Sequence, residues 1–155
     1  MIYRITGLSP DTYAHLIGAS DAILSEASAV RVTAEADKGW PCRISLKDAK
    51  AGESLILINH VSHDVATPYR SAYAIYVTES ANQPATYIDE IPPVFEGRPM
   101  AFRAFDRTGM LRDAALALPG QADAKIRELF ETDDIAYIHA HNAAHGCFAA
   151  KVERN

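Results

Sequence analysis

Three histidines and one cysteine fall within nine residues near the C-terminus, in His139-Ala140-His141-Asn142-Ala143-Ala144-His145-Gly146-Cys147. Imidazoles and thiols are the side chains that ligate zinc and that carry acid–base or nucleophilic steps. On an extended chain His139 and His141 share a face, because side chains alternate with a period of two. Two imidazoles so placed can serve one divalent transition metal such as zinc. Cys147 joins them if the chain returns through a three-residue loop, Ala144-His145-Gly146, with Gly146 left-handed. A loop of two or four residues shifts the register by one and turns Cys147 to the other face. The segment also suits a helix capped by Asn142, with Ala143, Ala144, Cys147, Phe148 and Val152 at helical spacing; the strand reading is preferred. On that reading His139, His141 and Cys147 are the candidate catalytic residues.

Other positions carry chemistry alongside a plainer role. Trp40-Pro41-Cys42-Arg43 places a second thiol after a proline, where Cys42 is either a further metal ligand beside His139, His141 and Cys147 or a small buried hydrophobe. In His60-Val61-Ser62-His63-Asp64, a histidine next to an aspartate can act as an oriented base, or the stretch is a solvated loop. Thr67-Pro68-Tyr69-Arg70 offers a guanidinium able to grip a carboxylate or phosphate through two parallel hydrogen bonds. Arg70, Tyr69 and Asn142 are accordingly the candidate substrate-binding residues, with a surface ion pair as the plainer reading of Arg70. The sequence has no Gly-rich phosphate loop, no Gly-x-Ser-x-Gly and no His-Glu-x-x-His, so nucleotide hydrolysis, serine-hydrolase and zinc-protease chemistry find no support.

The elements that must position these residues are mostly short strands. Met1–Gly7 reads as a strand, and Ser9-Pro10 opens a helix of about ten residues with Tyr13, Leu16 and Ile17 on one face. Asp21–Ser25 reads as a second short helix capped by Ser20 or Asp21. Ala29–Thr33, Ser54–Asn59, Ala72–Thr78 and Ile135–His139 read as strands. Leu55–Ile58 is apolar on both faces, which predicts a central position in a sheet. His60–Arg70 reads as a polar loop and Glu79–Pro99, with its prolines, as surface connection. Met100–Phe105 and Met110–Leu116 flank the tight-turn sequence Asp106-Arg107-Thr108-Gly109. Asp123–Phe130 is amphipathic and reads as a helix. Strands outnumber helices and include neighbouring hairpins, so the fold class is α+β: a single domain, 1–155, with a mainly antiparallel sheet and a few short helices.

Composition narrows the function classes. The chain has 155 residues, 48% of them apolar and 23% charged, the balance of a soluble globular domain. Fifteen basic against twenty acidic residues give a net charge of −5 without a Lys/Arg cluster, which argues against a nucleic-acid partner. No apolar stretch approaches the length of a membrane-spanning helix, and nothing behind Met1 resembles a secretory signal. Two cysteines do not make a disulfide framework, so reduced thiols in a cytoplasmic setting are expected.

Several of these segments together resemble one family. They are Pro41-Cys42-Arg43-Ile44-Ser45-Leu46-Lys47-Asp48-Ala49 with Gly52-Glu53, then Thr67-Pro68-Tyr69-Arg70, then Ala104-Phe105-Asp106 with Gly109-Met110. His139-Ala140-His141-Asn142 with Gly146-Cys147-Phe148-Ala149 completes the set. The combination resembles a bacterial family catalogued as domain of unknown function 1203, and the likeness runs from Tyr3-Arg4-Ile5 to the last residues. The resemblance implies a small bacterial cytoplasmic protein and carries over no activity and no catalytic residues. Relatives tend to have Tyr in place of His60 and His in place of Tyr73, which shifts weight to Cys42, Arg70, His139, His141, Asn142 and Cys147. The expected function is a small-molecule-binding domain with a His/Cys site, either a metal or an activated thiol. The alternative is a non-catalytic module in which these residues are structural. The sequence leaves open whether the protein is an enzyme and whether it forms a homo-oligomer.

Overall fold

The computed structural model describes all 155 residues. Strand β1 (Tyr3–Thr6) leads into one turn of 3-10 helix at Pro10–Tyr13, where Ser9 Oγ accepts a hydrogen bond from the Asp11 amide at 3.3 Å. The ten-residue helix expected there does not form. Bonds of the i to i+3 type, Leu16 N to Tyr13 O at 2.9 Å and Ala19 N to Leu16 O at 3.1 Å, hold the stretch in successive tight turns. Tyr13 and Leu16 still face inward, whereas Ile17 is exposed. Helix α1 (Asp21–Glu26) follows, capped by Ser20.

Strands β2 (Val30–Thr33), β3 (Ser54–His63) and β4 (Ser71–Thr78) form a three-stranded sheet in the order β2-β3-β4. The apolar run Leu55–Ile58 is therefore in the central strand, with Leu55 and Ile56 fully buried. β3 is longer than its apolar run. It continues through His60 to His63, past a bulge between Val61 and His63, so the expected loop begins only after His63.

The second sheet has six strands in the order β5-β1-β9-β8-β6-β7. Its further members are β5 (Thr86–Ile88), β6 (Met100–Phe105), β7 (Leu111–Ala117), β8 (Tyr137–Asn142) and β9 (Phe148–Arg154). The pairings within both sheets are all antiparallel, which gives the α+β class. The turn between β6 and β7 is organised by Asp106, whose Oδ1 accepts from Thr108 N at 2.8 Å and Met110 N at 3.1 Å. Helix α2 (Ala122–Leu129) buries Ile126 and Leu129 on this sheet. Glu79–Pro99 is more than surface connection. It contains β5 and a 3-10 turn, Pro93–Phe95, that puts Val94 and Phe95 into the core.

Alternation along β6 and β8 divides the interior. Phe102, Ala104, Ile138 and Ala140 join α2 and Phe95 in the larger apolar core. A smaller core lies on the other sheet, where Ile56, Ile75 and Val77 meet Tyr13, Leu16 and Leu24. Between the sheets the remaining faces of β6 and β8 present Arg103, Phe105, Tyr137, His139 and His141. No helix is long and apolar enough to cross a membrane.

Candidate functional site

His139 and His141 share a face as the period of two requires, and that face is buried between the sheets, with only 4% and 2% of their surfaces exposed. The His139 ring lies 4.9 Å from the His63 ring of β3 and 5.1 Å from Phe148, centroid to centroid. The His141 ring meets Tyr73 of β4 edge-on at 5.0 Å. Hydrogen bonds cross the same layer. His63 Nδ1 donates to Tyr69 O at 2.9 Å and its Nε2 pairs with the Tyr137 hydroxyl at 2.8 Å, while Arg103 Nη1 donates to Tyr73 Oη at 2.7 Å. A carbonyl only accepts, so the contact of His141 Nδ1 with Gly146 O at 3.0 Å places the proton on Nδ1.

Burial disfavours the imidazolium, and the nearby cationic groups act the same way. His139 is lowered to about 3, chiefly by burial and then by His63 and His141. His141 is lowered to about 4 by burial, partly offset by its bond to Gly146 O. Both rings are neutral at pH 7. His60 packs near Phe148, its Nδ1 sharing a hydrogen bond with the Tyr13 hydroxyl at 2.7 Å, and burial raises that hydroxyl to about 12.

Cys147 does not join the two histidines. The hairpin closes with Gly146 N bonding to Asn142 O at 2.8 Å and Asn142 N to Cys147 O at 3.0 Å, so the loop is the four residues 143–146. Gly146 is left-handed as expected, with φ of 75°. Cys147 therefore opposes Asn142 and shares its side. The same register puts Phe148 opposite His141, and the phenyl ring takes the place beside the imidazoles expected for the thiol; a shift between Ala140 and His141 then pairs Ala140 with Ala150 and His139 with Lys151.

Asn142 and Cys147 instead line a cleft of about 560 Å³ between this hairpin, β4 and the segment around Pro41. Two amino groups converge on the sulfur: Arg43 Nη2 at 3.1 Å and Asn142 Nδ2 at 3.4 Å. Arg43 is 2% exposed, an unusual depth for a guanidinium. Its Nε donates to Phe148 O at 2.8 Å and its Nη1 to Pro41 O, and it has no ion pair with any carboxylate. Burial pulls its basicity down, and the neighbouring Cys147 pushes back. Tyr73, Tyr76 and Leu57 supply an aromatic and apolar wall, and Arg98 reaches the rim already gripped by Asp48 at 2.7 and 3.0 Å.

The other candidates lie apart from this cleft. Cys42 is fully buried in the smaller core, and its sulfur accepts from the amides of Thr78 at 3.2 Å, Ile44 at 3.4 Å and Ser45 at 3.5 Å. Arg70 pairs with Asp64 at 3.0 Å on the surface, the plainer of its two roles. Tyr69 packs edge-on near Phe105 at 6.3 Å and lies outside the cleft. Both cysteines are free, and no group of three or more His, Cys, Asp or Glu side chains is placed to hold a metal ion. The four proposed ligands His139, His141, Cys147 and Cys42 are thus divided among the inter-sheet layer, the cleft and the core.

Arg43 is the residue that sequence reasoning passed over. Its signal is weak but present: a guanidinium between the apolar Cys42 and Ile44, inside one of the segments that carry the family likeness. The polar sequence of His60–Arg70 likewise hides His63, which the bulge between Val61 and His63 turns toward His139.

Comparison with curated proteins and with solved structures gives no match. Comparison with family profiles gives one that spans every element from Gly39 to β9, including Arg43, Asn142 and Cys147. The chain belongs to the family described as protein of unknown function (DUF1203), whose profile covers residues 39–154.

Proposed function

We propose that this protein binds a small molecule in the cleft between the 142–147 hairpin and β4, with Arg43, Asn142 and Cys147 as its polar contacts. The observation that carries the reading is Arg43: a guanidinium buried at a cleft wall without a carboxylate partner. Burying a charge is costly unless something compensates it, and structural arginines normally have an acidic neighbour. The volume of about 560 Å³ falls among the cavities that take small ligands, and the mix of apolar wall and few polar groups is theirs as well. His139, His141 and Cys42 serve as structural residues in this reading, which keeps Cys147 and Asn142 as site residues and adds Arg43.

Thiol chemistry at Cys147 is a second reading, favoured by the two donors that converge on its sulfur. Treatment of the native protein with iodoacetamide, followed by peptide mapping, tests both. The expected result is complete labelling of Cys147 with Cys42 untouched. A Cys147 as inert as Cys42 contradicts both readings. Labelling of Cys147 much faster than in the unfolded chain supports the nucleophilic role.

A further inference from the structure

The cleft is electrostatically unlike the rest of the chain. The protein carries a net charge of −5, yet no aspartate or glutamate lines the cleft, whereas Arg43, Arg98 and His145 do. Arg98 is neutralised by both oxygens of Asp48, which leaves Arg43 as the uncompensated cation. Of the five N–H groups of a guanidinium, three are accounted for by Phe148 O, Pro41 O and Cys147 Sγ. Donors remain on Nη1 and Nη2, and Asn142 Nδ2 approaches the same sulfur from another side.

We infer that the ligand is a small monocarboxylate with an apolar or aromatic body, its carboxylate received by Arg43 and Asn142 next to Cys147. This deepens the cleft reading and rests on it. A single uncompensated cation matches one negative charge. A phosphate dianion calls for a second free cation or a nest of backbone amides, and Arg98 is already engaged by Asp48. The body of the ligand lies along Leu57, Tyr73 and Tyr76, whose rings and methyl groups favour an apolar or aromatic surface.

The test compares two alkylating agents of nearly equal size, iodoacetate and iodoacetamide, on the intact wild-type protein. In each reaction the Cys147 sulfur forms a bond to the methylene carbon and iodide leaves, so only the charge of the reagent differs. The ratio of the two rates at Cys147 is read by peptide mapping, with the same protein unfolded in urea as reference. The expected ratio of iodoacetate to iodoacetamide is about fivefold higher in the native protein, the effect of roughly 1 kcal/mol of attraction. Arg43→Gln removes the enhancement, and Arg70→Gln, at a surface arginine outside the cleft, keeps it. Should Arg43→Gln fail to fold, protection of wild-type Cys147 from iodoacetamide by 3-phenylpropionate, and not by 3-phenylpropionamide, gives the same answer. A native ratio equal to or below the unfolded one, or equal protection by acid and amide, overturns the carboxylate inference and leaves the cleft reading standing. Failure of both reagents to reach Cys147 overturns the cleft reading itself.

Discussion

Arg43 Nη2 lies 3.1 Å from Cys147 Sγ, joining a residue from the loop before β3 to one from the last hairpin, 104 positions away. The contact is possible because Arg43 is threaded beneath the hairpin with its Nε on Phe148 O. The same guanidinium therefore shapes the cleft and fixes the start of β9. Replacing it should be felt in both.

Arg43→Met is expected to destabilise the fold by about 2–4 kcal/mol, since it leaves Phe148 O and Pro41 O buried without donors. Cys147→Ser retains a polar acceptor for Arg43 and is expected to cost less than about 1 kcal/mol. Urea unfolding monitored at Trp40 measures both. Equal losses for the two variants contradict the role assigned to Arg43.

Gly7 packs its Cα against the backbone that presents Arg43. A Cβ at this position would meet Ile44 O at 2.0 Å, a backbone atom that cannot move without shifting the segment. Gly7→Ala is therefore expected to cost about 3 kcal/mol, the upper part of the usual overpacking range. A loss below about 0.5 kcal/mol, within the scatter of ordinary surface changes, would show that the 41–46 segment is loosely held.

Stability should fall on acidification because of the inter-sheet histidines. In the unfolded chain each titrates near 6.5, whereas in the fold His139 is lowered to about 3 and His141 to about 4. Between these values the unfolded state binds more protons, so the unfolding free energy declines as pH drops below about 6.5 and levels off only near the folded values. The loss is on the order of a few kcal/mol between pH 7.5 and 4, less than the sum of the two shifts because the rings interact. Urea midpoints across this range measure it, and His139→Phe should flatten the dependence. A midpoint that stays constant or rises on acidification would contradict the burial of these rings as neutral species.

Truncation in the central strand should separate two neighbours on the same face. Ile56 is fully buried, and Ile56→Ala is expected to cost about 2–5 kcal/mol. Ile58 is only half-buried, so Ile58→Ala should cost clearly less than its neighbour. Reversal of that order, measured by chemical unfolding, would misplace β3.

Much of the strand content was legible because it rests on local patterns. Leu55–Ile58 declares a strand covered on both faces, and Asp106-Arg107-Thr108-Gly109 declares its hairpin. The pairing of His139 with His141 follows from pleat geometry alone. What remained illegible depends on single-residue irregularities. The four-residue turn at 143–146, in place of a three-residue one, exchanges Cys147 for Phe148 at the histidines, and the shift beside Ala140 restores the three-residue register for the rest of the hairpin. The bulge before His63 does the same on β3. Which arginine is buried is largely a tertiary matter: Arg70 and Arg43 each lie two residues after a proline, yet one meets Asp64 in water and the other has no acid at all. His60 and Tyr73, where the resemblance leads one to expect departures from the family, are directly opposed across β3 and β4 and form one cross-strand pair.

Elemental analysis of protein purified without a histidine tag should find no stoichiometric zinc, iron or nickel. The donors are divided among three surroundings and no three of them converge. One equivalent of metal per chain, lost in the His139→Phe variant, would contradict this division.

The most direct measurement is an amide-resolved NMR titration of the wild-type protein with a panel of aryl and alkyl monocarboxylates and their uncharged amides. The expected result is saturable shifts from the carboxylates at Arg43, Ala74 and residues 142–147, with weaker or no response to the amides. Saturable shifts confined to residues outside the cleft, or none across the panel, would contradict a monocarboxylate site built on Arg43 and Cys147.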